Sequence, residues 1–413
     1  MKKSLHTGAL ASIAAASMLL SACGFGGSGG TAGTAENTIN LLVPSYSDGT
    51  KGRWESIIKD FEAGNPGIKV NLEVQSWDNI NDVVKTKIQG NQAPDILNID
   101  SFAGFAKDQL LYPAKDVLSD STAKDFQDTF VKNASVSGTQ YGMPLIASAR
   151  ALFYNKDLFE KAGISAPPKT WDELEADAQK ITAAGVPGYG LPLGSEEAQG
   201  ETGLWFYGAG GGYGDAEKIS VDTPQNLEGA NFMKKLVDGK VTQADAGATN
   251  RTPLINVFIQ GQLGMIEALP PTVGQIKDKN PALKYGVAPI PTKDGSPFTL
   301  GVADHLMAFK NDGKKQDAIR KFLDNFYSTG VYTEWVSAEG FLPTTKSGSE
   351  KLSSNPDTKL FLDLLPNARF YPSTNKAWTA TQGAVKSLIG QIAQGTDPAS
   401  VLKDIQTKAD AAS

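Results

Sequence analysis

Residues 39–46 read INLLVPSY, 53–67 RWESIIKDFEAGNPG, 68–74 IKVNLEV, 79–90 NINDVVKTKIQG and 95–100 DILNID. The first segment is a short apolar run of the length of a buried strand. The second places Trp54, Ile57, Ile58 and Phe61 on one helical face and is stopped by Gly64 and Pro66. In the third, Ile68, Val70, Leu72 and Val74 alternate as in a strand; the fourth is a second helix and the fifth a third strand. Strand, helix, strand, helix, strand is the order that builds a parallel sheet flanked by helices, an α/β fold.

Such sheets bind ligands beyond the carboxyl ends of their strands, where loops converge and helix N-termini offer free N–H groups. Three loops qualify, 45–48, 75–78 and 100–102, and they supply Tyr46, Trp77 and Asp100 as candidate ligand contacts. Trp77 can equally be a packing residue under a helix, whereas an acid directly after an apolar strand has few packing reasons to be there.

A second αβ region follows Tyr141-Gly142-Met143-Pro144. Thr170 precedes WDELEADAQKI and Glu173 stands three residues on, the arrangement of a capping box. Then come the glycine-rich GLWFYGAGGGYGD (203–215), an amphipathic NLEGANFMKKLVDG (226–239) and a strand GMIEAL (264–269). The glycine run lacks the Gly-Lys-Ser/Thr ending and the preceding strand of a phosphate loop. Trp205, Phe206 and Tyr207 are consecutive and cannot all point inward from one face of a helix or strand, so one or two are expected to reach the ligand.

The 413 residues carry a net charge of -6 with lysines and acids interspersed, so no basic stripe follows a phosphate backbone and nucleic acid is not an expected partner. The first segment is different. Lys2 and Lys3 precede an apolar run from Gly8 to Leu20, then small residues and Cys23, the only cysteine in the chain. This reads as a secretory signal over 1–22. Leu20-Ser21-Ala22-Cys23 resembles the bacterial lipobox, which implies a lipid on Cys23 and a protein anchored outside the cytoplasm. The following Gly-, Ser- and Thr-rich residues, 23–37, read as a flexible tether.

The ordered series YGMPL (141–145), LFYNKDLFEKAGI (152–164), PPKTWDELEADAQKI (167–181), FIQGQLGMIEALPP (258–271), KYGVAPIPTKDG (284–295), DAIRKFLDNFYS (317–328) and GFLPTTK (340–346) resembles the extracellular solute-binding proteins of ABC importers. The similarity is greatest to the carbohydrate-binding group that includes the maltose-binding protein, and it covers nearly all of the chain after the tether. The resemblance implies two αβ lobes joined by a hinge, with a ligand cleft between them. Lobe 1 would comprise 38–147 and 302–342, and lobe 2 148–301 and 343–413. The chain would cross between them near 145–150, 300–305 and 342–346.

The resemblance also implies a carbohydrate ligand, an ABC permease as partner, a monomer, and no cofactor or metal. Trp378, at the start of a helix, matches a stacking tryptophan of the maltose-type proteins. Ser148 stands in the hinge where relatives carry a sugar-contacting acid, so that contact is weakened here or taken over by neighbouring Arg150. Glu267 would reach the cleft from GMIEAL, and Asp304 and His305 would face it from the returning strand. Arg369 and Tyr371 would add a cation and a ring. Arg150, His305 and Arg369 acting together would instead suit an acidic or phosphorylated ligand. Catalysis is disfavoured by residue type: one histidine remains after signal removal, no G-x-S-x-G elbow is present, and only a carboxylate pair, as in a glycoside hydrolase, remains open.

Overall fold

The computed structural model describes residues 37–311 and 313–413. Its strands are β1 Thr38–Pro44, β2 Lys69–Gln75, β3 Ile96–Ile99, β4 Ser135–Val136, β5 Thr139–Gln140, β6 Met143–Ala149, β7 Ala151–Asn155, β8 Tyr189–Gly190, β9 Met265–Ala268, β10 Tyr285–Ala288, β11 Thr299–Ala308 and β12 Ala368–Arg369. They form a six-stranded sheet in the order β12-β11-β3-β1-β2, with β6 also on β11, a four-stranded sheet β10-β7-β9-β8, and the hairpin β4-β5.

The opening five segments fold as their pattern dictates. β1 lies parallel to β2, with Ile39 opposite Val70, Leu41 opposite Leu72 and Val43 opposite Val74, and parallel to β3 on its other side. A strand covered on both faces reads as a continuous apolar run, which is why β1 and β3 scarcely alternate. The helix Thr50–Gly64 buries Trp54, Ile58 and Phe61. Trp54 stacks on Phe326 with ring centroids 4.7 Å apart and planes at 23°. Helix Gln316–Phe326 thereby joins the same core from late in the chain.

β11 is the element that ties the chain together, and all ten of its residues are buried. It pairs antiparallel with β3, His305 opposite Ile99, and antiparallel with β6, Gly301 opposite Ala149, with a register shift between Asp304 and His305. Near its start it holds the link between β6 and β7, the one residue that joins the two sheets there: the carbonyl of Leu300 accepts from the Arg150 amide at 3.1 Å. Ala147 and Leu342 exchange backbone bonds of 2.9 and 2.8 Å, so three distant segments lie side by side.

Around the four-stranded sheet, Trp171, Leu174, Tyr189, Trp205, Met265, Trp378 and Leu402 share one core. The helix Trp171–Ala183 has the expected capping box: Thr170 Oγ1 accepts from the Glu173 amide at 3.3 Å and Glu173 Oε2 from the Thr170 amide at 3.1 Å. The C-terminal helices Trp378–Leu388 and Pro398–Asp410 pack into this same core.

The glycine-rich segment departs from its sequence reading. Residues Ala198–Gly208 form a helix buried nearly all round. A helix enclosed on every side has no outward face, so Trp205 and Phe206 are both interior. Trp205 lies among Trp171, Tyr189 and Phe232, its centroid 5.7, 5.7 and 5.5 Å from theirs. The expectation that Trp205 contacts ligand is therefore corrected: it is a core ring. The glycine run follows the helix C-terminus and is tied to the first turn of the helix Pro224–Asp238: Asn226 Oδ1 accepts from the Gly212 amide at 2.9 Å and Asn226 Nδ2 donates to the Gly212 carbonyl at 2.7 Å. Gly212 holds φ at +142° and a Cβ there would stand 2.4 Å from the Tyr207 ring, which accounts for a glycine at that position.

Candidate functional site

The floor of the site is the β6–β11 ladder. Ser148 faces Val302 and Ile146 faces Asp304 in register, so Ser148 and Asp304 project from the same side of the sheet. Both are buried, and Ser148 Oγ has no hydrogen-bond partner.

One wall comes from the first sheet. The Tyr46 hydroxyl lies 2.7 Å from Asp304 Oδ2 and 3.0 Å from Asn98 Oδ1, and Trp77 packs edge-on against Tyr46 at 5.6 Å. Asp100 follows β3, and its Oδ2 accepts from Gln382 Nε2 at 2.6 Å. Burial and the neighbouring Asp100 charge push the Asp304 carboxyl up to about 7, opposed only by the Tyr46 hydrogen bond. Burial also raises Asp100, against the pull of Gln382 and Lys386.

The opposite wall is built by helices Ala198–Gly208 and Trp378–Leu388. Trp378 is stacked on Tyr371, centroids 5.1 Å apart and planes at 26°, and meets Tyr213 edge-on at 5.1 Å. The Trp378 Nε1 and the Tyr371 hydroxyl are buried without partners. Arg150, wholly buried, has Nη1 2.5 Å from Glu201 Oε1 and Nη2 3.2 Å from Glu197 Oε2. Arg251 pairs in turn with Glu197 and, at 3.2 Å, with Glu196. Burial raises Glu201 to about 7 despite Arg150, and raises Glu267 to about 8 with help from the Glu201 charge. Glu267 therefore carries its proton at neutral pH and can donate, and its Oε2 has no partner.

Tyr46, Asp304, Asp100, Trp378, Tyr371, Ser148, Arg150 and Glu267 thus form one band, with Trp77 at its edge. His305 does not share the Asp304 face. Its ring packs on Phe102 at 5.0 Å and fills the space where a side chain at Gly142 would stand. Burial lowers its pKa to about 4, so it is neutral. Arg369 is exposed on β12. The trio Arg150, His305 and Arg369 is consequently no anion-binding cluster: one member is paired with acids, one uncharged, one outside. The sequence reading missed Gln382, one helical turn beyond Trp378, and the acids Glu197 and Glu201 that neutralise Arg150. The i, i+4 spacing of Trp378 and Gln382 was the available signal for the first.

Among the described residues, no group of three or more His, Cys, Asp or Glu side chains is arranged to hold a metal, and no helix is long and apolar enough to cross a membrane. Cys23 and the signal segment lie outside the described residues.

Two αβ lobes around a hinge of crossing strands, with polar and aromatic side chains gathered where they meet, define a periplasmic-binding-protein-like fold. The pattern of the bacterial extracellular solute-binding protein family matches residues 46–333, and the chain belongs to that family. A putative binding protein of Brucella abortus (strain 2308) is 37% identical over 385 residues, 90% of this chain and 92% of the relative. The maltotriose-binding protein of Pyrococcus abyssi is 24% identical over 81% of this chain and 74% of its own length. A sugar transporter of Arthrobacter chlorophenolicus solved with bound laminaribiose superposes with a TM-score of 0.81 at 20% identity, covering 91% of this chain and 99% of that one.

Proposed function

We propose that this protein captures a mono- or oligosaccharide in its cleft and delivers it to the membrane permease of an ABC importer. The observation that carries the reading is the convergence of the Tyr371–Trp378 ring pair with buried polar atoms that lack partners: Ser148 Oγ, Glu267 Oε2, Tyr371 OH and Trp378 Nε1. Buried polar groups are ordinarily satisfied, and leaving one unpaired costs roughly 1–3 kcal/mol, so a group of them in one place is matched to something that binds there. A saccharide supplies both halves of the match, an apolar ring face for the indole and hydroxyls for the polar atoms. The names of the Pyrococcus and Arthrobacter relatives agree with this ligand class.

Lobe 1 is assigned to 38–147 and 302–342, and lobe 2 to 148–301 and 343–413. Ligand touching both stabilises the closed arrangement by its differential contacts, and the permease recognises that form. The chain carries out no chemistry in this reading. A lipid on Cys23 and the tether 23–37 hold it outside the cytoplasmic membrane near its permease, as a monomer. An acidic or phosphorylated ligand is disfavoured because Arg150 is already neutralised by Glu201 and Glu197.

A thermal-shift screen against neutral, amino, phosphorylated and uronic-acid sugars tests this. A ligand at ~100 times its dissociation constant adds about 2.7 kcal/mol to stability. A shift with the ligand recovered intact supports the reading; recovered cleavage products would replace it with a hydrolase.

A further inference from the structure

The antiparallel register of β11 on β3 runs from Ala308 opposite Ile96 to His305 opposite Ile99. Asp100 directly follows the last paired residue of β3 and Asp304 directly precedes its partner His305, so the two acids stand side by side at the end of the ladder, where the Asp100 charge acts on Asp304. Two carboxylates at neighbouring positions repel each other, and a folded chain rarely sets them so without a cation between. Here the only side-chain partners are neutral: the Gln382 amide on Asp100 Oδ2 and the Tyr46 hydroxyl on Asp304 Oδ2. Among the described residues, no lysine, arginine or histidine nitrogen lies within ion-pair distance of either acid; the Lys386 charge acts on Asp100 only from farther away. The buried, unpartnered Ser148 Oγ projects from the same face of the floor as Asp304.

The two arginines of the band do not offset this charge. Arg150 and Arg251 are committed to Glu196, Glu197 and Glu201, and His305 is neutral and faces elsewhere. Among the described residues Asp100 and Asp304 are left without an ion-pair partner on the wall of the cleft.

Resting on the reading of this cleft as a carbohydrate site, we infer that the ligand carries a positively charged nitrogen, an amino sugar or an oligosaccharide containing one, and that its ammonium group sits between Asp100 and Asp304. An ammonium has three donors and can bond the remaining oxygen of each carboxyl and the Ser148 hydroxyl together. A cation there also favours the charged form of Asp304, whose carboxyl burial and then the Asp100 charge push up to about 7, so binding should release a proton.

The test is calorimetric titration of the purified protein at pH 6.5 with glucosamine and its β-linked dimer, with their N-acetylated counterparts, and with glucose and its β-linked dimer. The inference expects an amine-bearing sugar to bind at least about tenfold more tightly than its acetylated and neutral partners. It also expects the titration heat to vary with buffer ionisation enthalpy, as proton release requires. Asp304→Asn should reduce the ratio of amine to neutral affinity to near one. Equal or tighter binding of the neutral or acetylated sugar overturns the inference and leaves the carbohydrate reading standing. Absence of binding by every sugar, amine-bearing or not, overturns the inference for this sugar series, and the wider thermal-shift screen then decides the carbohydrate reading.

Discussion

Gln382 Nε2 donates to Asp100 Oδ2 at 2.6 Å, and Ser101 Oγ lies 3.3 Å from Gln382 Oε1, so one amide side chain joins the end of β3 to the helix that begins at Trp378. Asp100 belongs to the first sheet's wall and Gln382 to the opposite one. With the two residues in the opposite lobes proposed above, the pair would act as a latch across the cleft. Hydrogen bonds to a charged group are worth about 1.5–3 kcal/mol, enough to bias an open–closed equilibrium. Gln382→Ala should enlarge the radius of gyration in small-angle scattering without ligand, while Gln382→Glu should open the cleft further by repelling Asp100. An unchanged scattering profile in both variants would mean the latch carries no weight.

Arg150 is buried between two acids, so removing it alone strands Glu201 in the interior. Arg150→Met should destabilise by about 3–5 kcal/mol in chemical denaturation. Adding Glu201→Gln to that variant should recover a large part of the loss, because the second change removes the stranded charge. Additive losses in the double variant would show that the two side chains do not interact.

Stability should fall as pH rises between about 6.5 and 8. Glu267 is raised from 4.5 to about 8 and Asp304 from 3.8 to about 7, so over that interval the folded state binds more protons than the unfolded one. Their contribution is complete below the unfolded values and is lost as pH climbs through the folded ones. His305 acts with the opposite sign, its pKa lowered from 6.5 to about 4, so its contribution is present above 6.5 and lost as pH falls toward 4. Denaturation of Glu267→Gln from pH 5 to 9 should show a shallower decline above 6.5 than the parent.

The Thr170 cap is independent of the site. Thr170→Ala should cost about 1 kcal/mol and leave ligand affinity unchanged, measured by melting and by titration. Thr170→Ser should lose much less.

Cys23→Ser should move the protein from the membrane fraction of its host to the soluble extracytoplasmic fraction without changing the affinity of the purified protein. Persistence in the membrane fraction would contradict the lipid assignment.

The fold was legible because its signals are local. The run from Ile39 to Asp100 shows each apolar face and each stop, and the Thr170–Glu173 cap follows from four consecutive residues. The helix Ala198–Gly208 was not, because its burial on every side comes from elements far away in sequence, and periodicity cannot report it. That is why Trp205 was expected at the ligand and stands in the core. Asp100 directly after a strand and Trp378 at the opening of a helix stand where the sequence places them. The ion pairs of Arg150 could not be read there, since Glu197 and Glu201 reach it only after the chain has folded back over 47 and 51 residues.

The most direct measurement is a crystal structure of the protein with the tightest-binding saccharide from the screen. The account predicts a sugar packed against the Tyr371–Trp378 ring pair, with its polar groups on Ser148, Asp100 and Asp304 and the ligand intact. A saccharide bound elsewhere on the molecule, with the Ser148 and Glu267 oxygens still unpartnered, would contradict it.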